Sequence, residues 1–184
     1  MNSRDRLKSL LLQLSYEEKE VTLASGKKSN FYFDGRQTAL HPEGASLLGE
    51  LFLEEIQKIS PQIEAVGGPT LGADPLVTAV ALLSFKSKKP LPAFIIRKEP
   101  KKHGTANWIE GLKNLRVGSR VAILEDVVTS GESSIAAAKR SEESGLVVTH
   151  ILCIVDREEG GREAIEKKGY RFVSLFTKTE LLKK

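Results

Sequence analysis

The sequence predicts an α/β protein: a parallel sheet with helices on both faces and a small N-terminal lid. Three observations lead there. From His41 onward, short apolar runs alternate with segments whose apolar residues repeat at helical spacing. The runs are apolar throughout, as strands covered on both faces are. Four polar, glycine-bearing segments (GGPTLGAD, RKEPKKHG, EDVVTSGES and DREEGG) each follow such a run. That places them together at the carboxyl edge of the sheet, where open α/β sheets bind ligands.

Residues 1–36 read as the lid and residues 37–184 as the core, within one domain. The first twenty residues mix a short apolar patch with acids and lack a small-residue cleavage site, so they read as an amphipathic helix and not a signal peptide. VTLASG and KKSNFYFDGR then suggest a small strand pair. Pro42 is placed to open a helix on which Leu48, Phe52, Ile56 and Ile59 share a face. IEAVGG reads as a buried strand, and Pro75 opens the next helix. Asp74 is either a pocket carboxylate or that helix's N-cap. PAFIIR is a strand. Residues 98–118 form a polar loop, and the aperiodic 98–111 part has the length of a mobile lid. RVAILED is a strand, residues 132–144 a helix, VVTHILCIVD a strand, residues 162–168 a short helix, and YRFVSLF the last strand.

Composition narrows the possibilities. The 184 residues are 40% hydrophobic and 28% charged, which suits a globular chain with a real core, and no run approaches membrane-spanning length. Cys153 is the single cysteine, so an intrachain disulfide is impossible. Its apolar surroundings point to a buried thiol, and a cytoplasmic location follows. The net charge of +4 comes mostly from scattered lysines, a solvated surface and no sign of a nucleic-acid partner. Only Arg97 to His103, with five basic residues and one acid, is concentrated enough to meet a polyanion. His41 reads as a helix-start or interface residue and His150 as packed. Trp108 carries no assigned role.

The chemistry concentrates in RVAILEDVVTSGESSIAAAK. An apolar strand ends in Glu125 and Asp126, a loop of Thr129, Ser130 and Gly131 follows, and an alanine-rich helix begins. Amides at a helix N-terminus lack helical partners and face the positive end of the dipole, so they cradle a phosphate. Gly131 permits close approach, and Thr129, Ser130 and Ser133 add hydroxyls. Two acids beside a phosphate loop require hydroxyls or a cation to bind, and a ribose 5-phosphate offers the hydroxyls. The signatures G-x-x-x-x-G-K-[ST] and G-x-G-x-x-G are both absent.

VAILEDVVTSGES resembles the phosphoribosyl-diphosphate motif of the type I phosphoribosyltransferases, and three further segments resemble the orotate-specific branch. RKEPKKHG is similar to that family's catalytic loop, SGKKSNFYFD to its lid strand, and VDREEGG to its carboxylate-binding segment. The resemblance implies transfer of the 5-phosphoribosyl group from 5-phosphoribosyl 1-diphosphate to orotate, with Mg2+ carried mainly by the diphosphate and no direct protein ligand assigned. It implies that Arg97, Lys98, Lys101, His103, Glu125, Asp126, Val127, Val128, Thr129, Ser130, Gly131, Glu132 and Ser133 bind that substrate. Lys101, His103 and Asp126 are the implied catalytic residues. Tyr32 and Phe33 would lie against the base, with Thr129 nearby and Arg157 on the orotate carboxylate. A homodimer with shared sites is also implied. The chain departs from the family at Ala24, where several members carry a lysine; Lys27 or Lys28 would have to supply that charge. The competing readings are a transferase for another base, and a regulator that senses phosphoribosyl diphosphate while binding nucleic acid.

Overall fold

The computed structural model describes residues 2–22, 28–100 and 108–183. Helix α1 (Ser3–Leu10) opens with Asn2 accepting from the Asp5 amide and runs into a π-helical turn, Leu11–Ser15. Strands β1 (Tyr16–Thr22) and β2 (Lys28–Phe33) pair antiparallel as the expected hairpin. A five-residue helix α2 (Gly35–Ala39), capped by Asp34, was not legible in the sequence. Helix α3 (Pro42–Gln57) follows, with His41 at its N-cap accepting from the Gly44 amide, the helix-start role expected of it.

Strand β3 (Ala65–Pro69) leads to α4 (Asp74–Lys86), and β4 (Ala93–Ile96) comes next. Beyond residue 107, the expected plain loop instead forms strand β5 (Ile109–Glu110) and a 3-10 turn, Leu112–Asn114. Then come β6 (Arg120–Val128), α5 (Glu132–Glu143), β7 (Val147–Asp156), α6 (Gly161–Lys167), β8 (Arg171–Thr177) and α7 (Lys178–Leu182). The larger sheet has the order β5-β4-β3-β6-β7-β8, parallel except for the antiparallel edge strand β5. Edge pairing explains β5: two residues suffice to close the β4 edge but leave no periodicity to read.

Helices cover both faces, as expected. One core holds Leu48, Phe52 and Ile56 of α3, Leu76 and Val80 of α4, and the inward rings of β2. The other packs Ala137 and Ala138 of α5 and Ile165 of α6 against β6 and β7. Phe52 and Phe94 are at most 1% exposed, and burying a side chain of that size contributes about 1.5–3 kcal/mol. Cys153 and His150 lie inside this packing, and burial pushes the Cys153 thiol well up and the His150 imidazole down.

Candidate active site

Because β3, β4, β6 and β7 run parallel, the loops that follow them lie at one edge of the sheet. A cavity of about 460 Å³ opens there, lined among others by Arg97, Lys98, Glu125, Asp126, Val127 and Ser133. Six of the expected residues therefore share one wall.

Glu125 and Asp126 lie near the carboxyl end of β6. Glu125 is 5% exposed and accepts from the Ser133 hydroxyl at 3.2 Å and the Ser134 hydroxyl at 3.4 Å. Burial, and after it the charge of Asp126, push its pKa up to about 8. Asp126 accepts from the Val127 amide through Oδ1 at 2.9 Å. Gly72 abuts this acid: a Cβ at that position would stand 2.7 Å from Asp126 Oδ1, so only glycine lets the loop after β3 come so close.

Thr129 is half-buried and Ser130 exposed, and Gly131 sits at the N-cap of α5 with φ +78°. Because that cap lacks a side chain, it makes no side-chain hydrogen bond to the first-turn amides; Glu132 is exposed beside them, and Ser133 turns its hydroxyl to Glu125. Val128 is 1% exposed and its side chain belongs to the core, so its backbone is the part that reaches the loop. Its carbonyl accepts from the Arg157 amide at 2.9 Å, which fixes the tip of β7 beside that of β6.

Arg157 is held under the hairpin. Its Nη2 donates to the Phe31 carbonyl at 3.2 Å and pairs with Glu159 at 3.2 Å, and its guanidinium lies 5.5 Å from the Phe31 ring centre. Tyr32 and Phe33, both expected against the base, fall on opposite sides of β2, since adjacent residues on a strand face opposite ways. Phe33 is 9% exposed and stacks on Phe31 in the core, while Tyr32 is half-buried on the other face. The ring against Arg157 is thus Phe31. The alternation in SNFYF carried that information.

Asp74 fits neither of its expected roles. Ala73 occupies the N-cap of α4, and Asp74 accepts from the Thr70 hydroxyl at 2.8 Å, stiffening the turn that contains a cis Thr70–Leu71 bond. Arg97 pairs with Glu110 at 3.0 Å, and Lys98 is exposed at the rim. Lys101, His103, Ala24 and Lys27 lie outside the described residues, and Lys28 is placed only as part of β2.

Two cavity residues escaped the sequence reading. Arg36, paired bidentately with Asp34 and near enough to Asp126 to feel its charge, enters from the hairpin side. Arg140 enters from α5, where Ser133, Ala136 and Arg140 form one stripe along the cavity. That i, i+3, i+7 spacing was the available signal.

A parallel sheet whose central strand ends in paired acids, with an uncapped helix N-terminus beyond them and an N-terminal hairpin above, defines the class of type I phosphoribosyltransferases. No family model matches the chain. It is, however, 45% identical over 185 residues to the orotate phosphoribosyltransferase of Aquifex aeolicus, covering 99% of each chain. It is also 44% identical to that of Nostoc sp., covering 97% of this chain and 84% of the relative. Among solved structures, the Mycobacterium tuberculosis orotate phosphoribosyltransferase in complex with Fe(III) dicitrate superposes with a TM-score of 0.84 at 35% identity, covering 99% and 100% of the two chains. The same enzyme in complex with 5-phospho-alpha-D-ribosyl 1-diphosphate gives 0.79 at 34%, covering 98% and 99%. The chain belongs to the orotate phosphoribosyltransferase family.

Proposed function

We propose that this chain transfers the 5-phosphoribosyl group of 5-phosphoribosyl 1-diphosphate to N1 of orotate, giving orotidine 5'-phosphate and diphosphate in de novo pyrimidine synthesis. The observation that carries this is the tip of β6: two acids and an uncapped amide loop, with Arg97 and Lys98 on one flank and Arg157 on the other. The acids hold the ribose hydroxyls, the loop from Thr129 to Ser133 holds the 5-phosphate, and Arg157 meets the orotate carboxylate bidentately.

Orotate N1 attacks the anomeric carbon as the bond to the diphosphate oxygen breaks, and that electron pair leaves with the diphosphate. Arg97, Lys98, Lys101 and His103 neutralise the charge gathered there. The proton on N1 must also leave. Burial, and after it the Asp126 charge, favour the protonated form of Glu125, so Asp126 and solvent are the better acceptors.

Among the described residues no group of three or more His, Cys, Asp or Glu side chains could hold a metal ion. Mg2+ would come in on the diphosphate, and Asp126, a carboxylate of the cavity wall, would be available to help hold it. Once bound there, it supplies charge neutralisation to the leaving group.

We also propose a homodimer with shared sites. Leu82 and Phe85 of α4 are 62% and 75% exposed at i, i+3 spacing, and Leu71, in the turn ahead of that helix, is 62% exposed. Leu71 also lines the cavity, so a second copy that covered it as well would abut the site. Mixing a Lys101→Ala subunit with an Arg157→Ala subunit should restore part of the activity lost in each, and no recovery counts against sharing. No helix among the described residues is long and apolar enough to cross a membrane. The buried thiol suits a reducing compartment, and we assign the reaction to the cytoplasm.

Loss of orotate absorbance on adding 5-phosphoribosyl 1-diphosphate and Mg2+ to the pure protein tests the assignment. Turnover with uracil and none with orotate overturns it.

A further inference from the structure

We infer that Arg140 is a positioning residue for the diphosphate flank of the site, pinning both ends of the segment between β4 and β5 to helix α5. The inference rests on the proposal that Arg97 and Lys98 serve the diphosphate. Arg140 Nη1 donates to the Arg97 carbonyl at 3.2 Å, and its guanidinium lies 4.0 Å from the centre of the Trp108 ring. The two ends also grip each other: the Arg97 amide donates to the Trp108 carbonyl at 2.9 Å, and the Arg97 guanidinium pairs with Glu110 at 3.0 Å. One cation thus holds the residue entering the segment by a hydrogen bond and the residue leaving it by cation–π contact.

The helix that carries Arg140 is the one whose N-terminus forms the phosphate loop. Ser133 at that end and Arg140 two turns on line the same cavity. A rigid helix therefore fixes the distance between the 5-phosphate subsite and the cations of the diphosphate flank. The substrate needs such a fixed distance, because both its charged ends must be met at once. Without the Arg140 contacts, Arg97 and Lys98 would keep their charges but lose their placement.

Trp108 is the chain's single tryptophan, so its fluorescence reads this contact directly. The experiment compares wild type with Arg140→Gln, Arg140→Lys and Trp108→Leu, using steady-state kinetics for each substrate, acrylamide quenching of Trp108 and thermal unfolding. Arg140→Gln should raise the KM for 5-phosphoribosyl 1-diphosphate about tenfold, as loss of a charged hydrogen bond and a cation–π contact implies, and leave the KM for orotate within about twofold. Quenching should become more efficient. Arg140→Lys, which keeps a cation and a donor, should recover most of both. Combining Arg140→Gln with Trp108→Leu should cost less than the sum of the two singles.

An unchanged diphosphate-substrate KM together with unchanged quenching overturns the inference. So does an equal rise in both KM values that tracks a lowered melting temperature, since that is what a purely structural residue would give. If wild type turns over no orotate at all, the proposed function falls, and the quenching arm still decides whether the clamp exists.

Discussion

Glu125 should make folded stability depend on pH in the sense opposite to an ordinary surface carboxylate. Its side chain is 5% exposed, and burial followed by the Asp126 charge raises its pKa from 4.5 to about 8. Between those values the folded chain holds a proton that the unfolded chain has released. The contribution is therefore fully present below 4.5 and is lost as pH climbs through about 8. At about 1.4 kcal/mol per pH unit the whole interval amounts to about 5 kcal/mol. Water from the adjoining cavity and relaxation of the site reduce this, so a loss of about 2–5 kcal/mol is expected. For a chain of this size that is a fall of roughly 5–20 °C in Tm. The assay is thermal unfolding of ligand-free wild type and Glu125→Gln from pH 4.5 to about 8, the window set by this shift. Glutamine keeps the shape and still accepts from Ser133 and Ser134 but cannot ionise. The Tm advantage of the variant should therefore widen as pH rises. Parallel curves, or a wild type that gains on the variant with pH, would refute the claim that burial dominates this carboxyl.

Arg157→Lys should raise the KM for orotate by roughly 10–100-fold, because an ammonium cannot grip a carboxylate bidentately, and leave the KM for 5-phosphoribosyl 1-diphosphate nearly unchanged in steady-state assays. Gly131→Ala should destabilise the fold by about 1–2 kcal/mol in denaturant titration, because φ is +78° and the new Cβ would meet the Gly161 carbonyl oxygen at 3.0 Å. The same change should weaken binding of the diphosphate substrate, measured by calorimetry. The Cys153 thiol, fully buried with its pKa pushed up by that burial, should resist a chromogenic thiol reagent in the native protein and react stoichiometrically once urea unfolds it.

The parts of the site legible in the sequence were those written contiguously. Strand, acids, loop and helix follow one another from Arg120 to Glu143, so a local pattern sufficed to place Glu125, Asp126 and Gly131. What stayed hidden depended on geometry across long separations. Arg36 comes within range of the Asp126 charge from helix α2, and Arg140 reaches the Arg97 carbonyl from the last turn of α5. Neither is flanked by residues that mark it. The Phe31–Phe33 stack was hidden for another reason: Tyr32 and Phe33 adjoin in the sequence, whereas the twofold period of the strand decides which rings turn inward. Strand β5 and helix α2 are too short to carry a period of their own, and tertiary pairing and a cap make them.

Strand order turns separate loops into a charge profile. Along the chain the loops come after β3, β4, β6 and β7, but across the sheet β4 lies outside β3. The sequence of charge at the edge is therefore cation at Arg97 and Lys98, an uncharged turn at Thr70 to Gly72, acids at Glu125 and Asp126, then cation at Arg157. Had β3 and β4 exchanged places, Lys98 would stand against Asp126 and the two would neutralise each other. The uncharged turn keeps them apart. Each arginine is meanwhile tethered to a carboxylate of its own, Glu110 or Glu159. The Arg97–Glu110 pair is 39% and 40% exposed, and a pair so solvated is worth only about 0–1 kcal/mol. A diphosphate carrying several negative charges can displace it at little cost, so the tether holds the guanidinium extended without competing with the ligand.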